Sequence, residues 1–335
     1  MDGTKQRHCR YDPRCRGACR TFRLAHRRMP NLPDYPFSGH HLVHPNGLVQ
    51  HYLDEGPRGA PPVLMLHGNP SWSYYWRHLV LGLRDAYRCI VPDHIGMGLS
   101  DKPDDNQYTY TLQSRVDDLN ALIDHLIATQ DAPATGWTLV LHDWGGMIGM
   151  AWACRRPERI ARIVVTNTAA FPNPKQRKLP ASLRLGRDSK LGEWLILRYN
   201  AFARGAARWG VVRPLTPDVR EALLSPYDTP AHRISTVRFV QDIPLGPGDR
   251  AWALVAATGE ALAQFADRPM LIAWGKRDFV FDDAFLAEWR RRFPLAEVVA
   301  FPDAGHYVLE DAHERLVPFI RKFLDAFPAE QVGAD

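Results

Sequence analysis

No stretch of about 18 apolar residues occurs in the 335-residue chain, so no helix is expected to span a bilayer, and the N-terminus lacks the apolar core of a secretory signal. A cytoplasmic protein is expected. Cysteine is scarce: of five, Cys9, Cys15 and Cys19 fall beside His8 in a C-x5-C-x3-C spacing that matches no common zinc site, so no metal is expected. Cys89, in an apolar strand, and Cys154, on a helix, read as small buried residues rather than disulfide partners. An excess of one charge is missing too, once residues 1–30 are set aside. Those hold nine Lys or Arg against Asp2 and Asp12, net +7 in a chain of net +5, which leaves −2 for residues 31–335. A nucleic-acid partner, suggested by overall charge alone, is therefore not expected. Residues 1–30 read as a basic, disordered tail or as a product of start-site choice, since Met29 directly precedes the first domain sequence.

What is present is a rhythm. The segment HLVHPNGLVQHYLDEG (41–56) predicts two antiparallel strands around Pro45-Asn46-Gly47. Short apolar runs at Val63–Leu66, Cys89–Val91, Thr138–Leu141, Ile163–Thr166, Met270–Ala273 and Val298–Phe301 read as strands buried on both faces. Helical periods separate them, as in Val116, Leu119, Leu122, Ile123 and Leu126, and again in Leu316, Phe319, Ile320, Phe323 and Leu324. Alternation of this kind predicts a mostly parallel central sheet flanked by helices. From about Phe171 to Leu262 the strand signal stops while helix-like stretches continue, with Trp194, Trp209 and Trp252 among them. That interval is too long for a loop and predicts an inserted helical cap over 171–262, with residues 31–170 and 263–330 forming the α/β core.

Chemistry concentrates at three places. In WTLVLHDWGGMIGMAWA (137–153) an apolar strand runs through a tight turn into a small-residue helix, with Asp143 at the turn. This is the pattern of a nucleophile elbow, in which a reactive side chain sits beside a helix N-terminus. No G-x-S-x-G occurs, so serine esterase chemistry lacks its nucleophile, and Leu141 stands where many elbows have a small residue. Helix capping is the other role open to such an aspartate. The HGNP at 67–70 follows the first buried strand and occupies the loop that supplies an oxyanion hole in the α/β-hydrolase fold, with backbone N–H groups from Asn69 and Trp144. DAGHYVLED (303–311) places His306 after the last strand, and WGKRDFVFDD (274–283) offers Asp278 as its acid partner, Asp282 and Asp283 reading instead as a helix start. The order Asp143, Asp278, His306 is that of nucleophile, acid and base in α/β-hydrolases.

A carboxylate needs no base to activate it and can displace a leaving group from saturated carbon. His306 would then activate water against the resulting ester, oriented by Asp278. Alkyl halides, epoxides and β-lactones are the substrates that suit such a site. A receptor that keeps the pocket without turnover is the alternative of another class.

HGNP, PDHIGMGLSDKP (92–103) and HDWGG (142–146) resemble the haloalkane dehalogenase family over roughly residues 34–327. The resemblance implies that Asn69 and the indole N–H of Trp144 cradle the leaving group and that Asp278 is the acid. Asn167, where other dehalogenases carry a Glu, cannot take that role. TNTAAFP (166–172), NAFARGAA (200–207), RFVQDIPL (238–245) and RDFVFDDAFLAEWRRRFP (277–294) look more narrowly like the β-lactone decarboxylases of bacterial long-chain olefin biosynthesis. That likeness implies conversion of a cis-3,4-dialkyl-β-lactone to a cis-alkene and carbon dioxide without cofactor or metal, with Asp143 attacking either the sp3 ring carbon or the carbonyl. It also implies an assembly with a β-lactone synthetase and a 2-alkyl-3-keto-acid reductase. Haloalkane hydrolysis is the alternative activity. Epoxide hydrolysis is the third, for which the interval offers only Tyr199 and Tyr227 as ring-protonating groups.

Overall fold

The buried apolar runs join into one sheet in the computed structural model, which describes residues 32–174 and 178–329. The expected basic tail, with its three cysteines, lies outside the described residues. The strands are β1 (Gly39–Val43), β2 (Val49–Glu55), β3 (Pro62–Leu66), β4 (Arg88–Pro92), β5 (Trp137–Asp143), β6 (Ile160–Thr168), β7 (Met270–Gly275) and β8 (Glu297–Phe301). Their order is β1-β2-β4-β3-β5-β6-β7-β8. The first two pairings are antiparallel and the rest parallel. The β1–β2 hairpin closes where expected, with Gly47 at φ 84° and its N–H on the His44 carbonyl.

Every residue of β3, β4 and β5 is buried, which explains the apolar runs Val63–Leu66, Cys89–Val91 and Leu139–Leu141 within them. The expectation of two buried faces fails for β8. As the edge strand it leaves Val298 42% exposed, because among the described residues no strand pairs beyond it. Helices α1 (Arg77–Leu83), α2 (Leu112–Thr129) and α3 (Trp144–Ala153) connect the first strands. All five periodic apolar residues of α2 are buried, and Thr111 caps it by accepting the Ser114 N–H. Cys89 is buried and Cys154, at the end of α3, half-buried; both are free thiols.

Between β6 and β7 lie α4 (Ala181–Asp188), α5 (Lys190–Tyr199), α6 (Ala201–Trp209), α7 (Pro217–Leu224), α8 (Ile234–Gln241) and α9 (Trp252–Ala261). Helices α10 (Asp283–Arg292) and α11 (Val308–Ala326) complete the chain order. On α11 the predicted apolar set is buried except for Phe319, which is 46% exposed and lies edge to face with Phe301 at 6.5 Å. Among the described residues no helix is long and apolar enough to cross a membrane.

Candidate active site

The chain turns sharply at the end of β5. Asp143 has φ 51° and ψ −126°, a conformation that costs a non-glycine residue about 1–3 kcal/mol and throws its side chain off the strand end. The turn requires Gly145, where a Cβ would lie 2.0 Å from the Leu66 carbonyl oxygen. The same crowding applies to Gly68, whose Cβ would meet the Asp143 carboxylate at 2.0 Å. Asp143 also caps α3, so capping and elbow coincide in one residue.

Its carboxylate is held on one side only. Oδ1 accepts the backbone N–H of Asn69 at 2.8 Å and of Trp144 at 2.6 Å. The two N–H groups that sequence position offers as an oxyanion hole thus converge on Asp143 itself rather than on open space. Oδ2 is the free oxygen, 3.5 Å from Nε2 of His306. Burial pushes the Asp143 carboxyl pKa up, an effect opposed by His306 and by the two N–H donors.

His306 stands between two carboxylates. Its Nδ1–H donates to Asp278 Oδ2 at 2.8 Å, which leaves Nε2 facing Asp143. Burial would lower the imidazole pKa, but Asp278 and then Asp143 outweigh it and hold it above 6.5. Asp278 in turn accepts the Val280 N–H at 2.7 Å. Asp282 accepts the Ala284 N–H to cap α10, and Asp283 follows in its first turn, as expected of a helix start.

Two residues without an assigned role turn out to brace this set. Asn167, at φ 42°, leaves the parallel β6–β7 register after Thr166 pairs Ala273. Its carboxamide then continues the ladder in place of the backbone, accepting the Gly275 N–H at 2.7 Å and donating to the Gly275 carbonyl at 2.9 Å. Nδ2 also lies 3.0 Å from Asp278 Oδ2. Asn167 has no carboxylate with which to act as the acid, but its amide can donate to the Asp278 carboxylate. Asn167→Leu strands three polar partners in the interior, and we expect a loss of about 3 kcal/mol of unfolding free energy. Urea denaturation with an unchanged midpoint would contradict this bracing role. The second residue is His142, whose Nε2–H donates to the His306 carbonyl at 2.9 Å. Its burial, and then the neighbouring His306, keep it neutral by lowering its pKa well below the ordinary value.

The PDHIGMGLSDKP loop supports the site from behind. Fully buried Asp93 accepts the Ser73 and Leu99 N–H groups at 2.7 and 2.8 Å and the His51 Nδ1–H at 2.8 Å. Burial alone would raise its pKa, yet these donors, His51 foremost, bring it down to about 2. The loop after β3, which contains Asn69, is thereby tied to the loop after β4.

Asn69, Asp143, Trp144 and His306 share the wall of one cavity of about 380 Å³, and Asp278 lies behind His306. The rest of the wall is largely apolar and comes from the helices between β6 and β7, with Leu183, Ile196, Phe202 and Val240, and from Met147 of α3 and Phe279, Phe281 and Phe285 after β7. The side-chain amide of Asn69 donates one N–H to the Thr236 carbonyl of α8 at 3.0 Å, joining core and insertion. Neither tyrosine of the insertion reaches the cavity wall: Tyr227 is fully buried with its hydroxyl on the Ser71 carbonyl, and Tyr199 is half-exposed beside Trp194.

A family profile described as alpha/beta hydrolase fold matches residues 61–313. The chain belongs to the α/β-hydrolase family. Within this family it is haloalkane dehalogenase-like, and solved dehalogenases share its architecture. A haloalkane dehalogenase from Agrobacterium tumefaciens superposes with a TM-score of 0.75 at 28% identity, covering 87% of this chain and 97% of that one. Other α/β-hydrolases are nearer in sequence. A cis-3-alkyl-4-alkyloxetan-2-one decarboxylase from Xanthomonas campestris pv. campestris is 56% identical over 301 residues, 88% of this chain and 99% of its own length. One of the same name from Shewanella oneidensis is 51% identical, covering 86% of this chain and 89% of its own length.

Proposed function

We propose that this α/β-hydrolase is a β-lactone decarboxylase that converts cis-3,4-dialkyl-β-lactones, the cis-3-alkyl-4-alkyloxetan-2-ones of its relatives' names, into cis-alkenes and carbon dioxide. Asp143 is the nucleophile, His306 and Asp278 complete the triad, and Asn69 with the Trp144 indole stabilises the departing oxygen. The observation that carries the reaction type is the one-sided hold on Asp143. With both loop N–H groups on Oδ1, no preformed pair remains for a lactone carbonyl oxygen, while Oδ2 is left to attack. Attack at the sp3 ring carbon fits that arrangement better than attack at the carbonyl.

The bonds then balance without water. Oδ2 bonds to the ring carbon that bears oxygen, and the C–O bond breaks to leave a free carboxylate on the neighbouring carbon. That carboxylate departs as carbon dioxide, its C–C electrons form the double bond, and the ester C–O bond returns its electrons to Asp143. Inversion in the first step followed by anti fragmentation in the second amounts to a net syn elimination, so a cis lactone gives a cis alkene. The apolar cavity suits alkyl chains. A role in long-chain olefin biosynthesis, in a cytoplasmic assembly with a β-lactone synthetase and a 2-alkyl-3-keto-acid reductase, belongs to the same proposal.

Haloalkane hydrolysis is the second reading, favoured by the family likeness and by the same free Oδ2. Epoxide opening finds no tyrosine on the cavity wall among the described residues. The test offers purified protein a cis-dialkyl β-lactone and a bromoalkane in parallel. We expect cis-alkene as the main product; bromide release without alkene would assign the chain to the dehalogenases.

A further inference from the structure

The cavity opens through an apolar rim. Leu185, Trp209, Leu245 and Phe279 line the cavity and are at the same time 41%, 67%, 38% and 47% exposed. On α6 the stripe Phe202, Ala206 and Trp209 faces the cavity, and Arg204 and Arg208 stand exposed on the adjoining stripe. Nearby α5 carries Trp194 and Tyr199, about half-exposed and edge to face at 5.1 Å, with the Arg198 guanidinium 5.5 Å from the tyrosine ring.

Charge is concentrated on the same helices. Residues 178–210 hold seven Lys or Arg against Asp188 and Glu193, net +5, although residues 31–335 together sum to −2. Both acids are already paired, Asp188 with Arg187 and Glu193 with Lys190 and Arg238. Lys178, Arg184, Arg198, Arg204 and Arg208 have no carboxylate within ion-pair distance among the described residues. Exposed tryptophan and tyrosine mixed with unpaired arginine is the composition that settles at a lipid headgroup layer, the rings among the upper acyl carbons and the cations on phosphates. The net positive sign selects an anionic surface.

We infer that the rim of the cavity docks on an anionic phospholipid surface, so that substrate enters from lipid and the alkene returns to it. The need for such a route rests on the reading of the substrate as a lactone with two long alkyl chains, which partitions into lipid rather than water. The full chain is to be sedimented with vesicles of phosphatidylglycerol and phosphatidylcholine, and with vesicles of phosphatidylcholine alone. Binding to the anionic vesicles is expected, and Arg204→Gln/Arg208→Gln should weaken it roughly 25-fold, about five-fold for each lost charge. Trp209→Ser should weaken it as well. Residues 1–30 are themselves basic, so the variants, not the salt dependence, report on the rim. Unchanged partition in both variants would overturn the inference and credit the N-terminal residues with binding. Wild-type protein left in the supernatant would overturn it too, with an acidic protein then the better occupant. The double arginine variant should turn over a short-chain, water-soluble β-lactone at the wild-type rate, which separates docking from misfolding. Should the wild type bind vesicles yet form no alkene from that lactone, the decarboxylase reading fails and the docking surface stands.

Discussion

Replacing Asp143 by Asn is expected to reduce alkene formation by at least about 10⁴-fold while leaving the fold and ligand affinity in place, because it removes only the proposed nucleophile. The substitution is nearly isosteric, and Oδ1 of the new amide can still accept the Asn69 and Trp144 N–H groups that hold the aspartate. What changes is the second position, where an amide nitrogen replaces the free carboxylate oxygen. A neutral amide at a dry site should not cost stability, since burial already disfavours the ionised aspartate. Single-turnover assays with a β-lactone, together with binding of a non-reactive dialkyl analogue, measure both effects. Residual turnover above about one per cent would remove Asp143 from the nucleophile's role. A pocket that acts only as a receptor predicts unchanged binding with no wild-type turnover to lose, so the same pair of assays separates an enzyme from a receptor.

His306→Ala should divide the two candidate reactions. Hydrolysis of an alkyl ester requires a base for water, so with a bromoalkane that the wild type turns over, the variant should release one bromide per chain and stop. Intact-protein mass spectrometry should then find the alkyl group on Asp143, with steady turnover down by at least about 10³-fold. Decarboxylation by fragmentation moves no proton in either step, so alkene formation should suffer much less. Equal losses in both reactions would show that His306 does more for the lactone than this scheme allows. The pH profiles carry the same contrast. Hydrolysis needs the neutral imidazole, and Asp278, the carboxylate that remains beside it once Asp143 is esterified, favours the protonated form, so the hydrolytic rate should fall on the acid side. Stability follows the opposite sign. The stabilisation that His306 gains from its partners is complete below 6.5 and is lost as pH rises through its raised folded value. Asp143, also raised, costs stability at pH values above 3.8, where the unfolded chain is already ionised. The site as a whole should therefore be most stable on the acid side of neutrality.

Much of this was legible in the residues because its causes are local. Strands buried on both faces leave unbroken apolar runs, and an elbow leaves a reactive residue followed by glycines that no other residue can replace. Edge position is not a local property, which is why β8 has the composition of a buried strand and the exposure of a rim. The same holds for Phe319, whose place in a helical period says nothing of how much chain covers that side of α11. Asn167 and His142 escaped notice as braces because an amide and an imidazole act here through partners 108 and 164 positions away.

The sequence by itself determined the layered α/β architecture and the chemical types at Asp143, Asp278 and His306, since periodicity and motif spacing depend on neighbours along the chain. Tertiary structure alone decided which oxygen of Asp143 is free, because that depends on two N–H groups from separate loops meeting at one atom. It alone decided, too, that the cavity opens through an apolar rim with Trp209 and Phe279 exposed, because exposure is set by the packing of helices that have no contact in sequence.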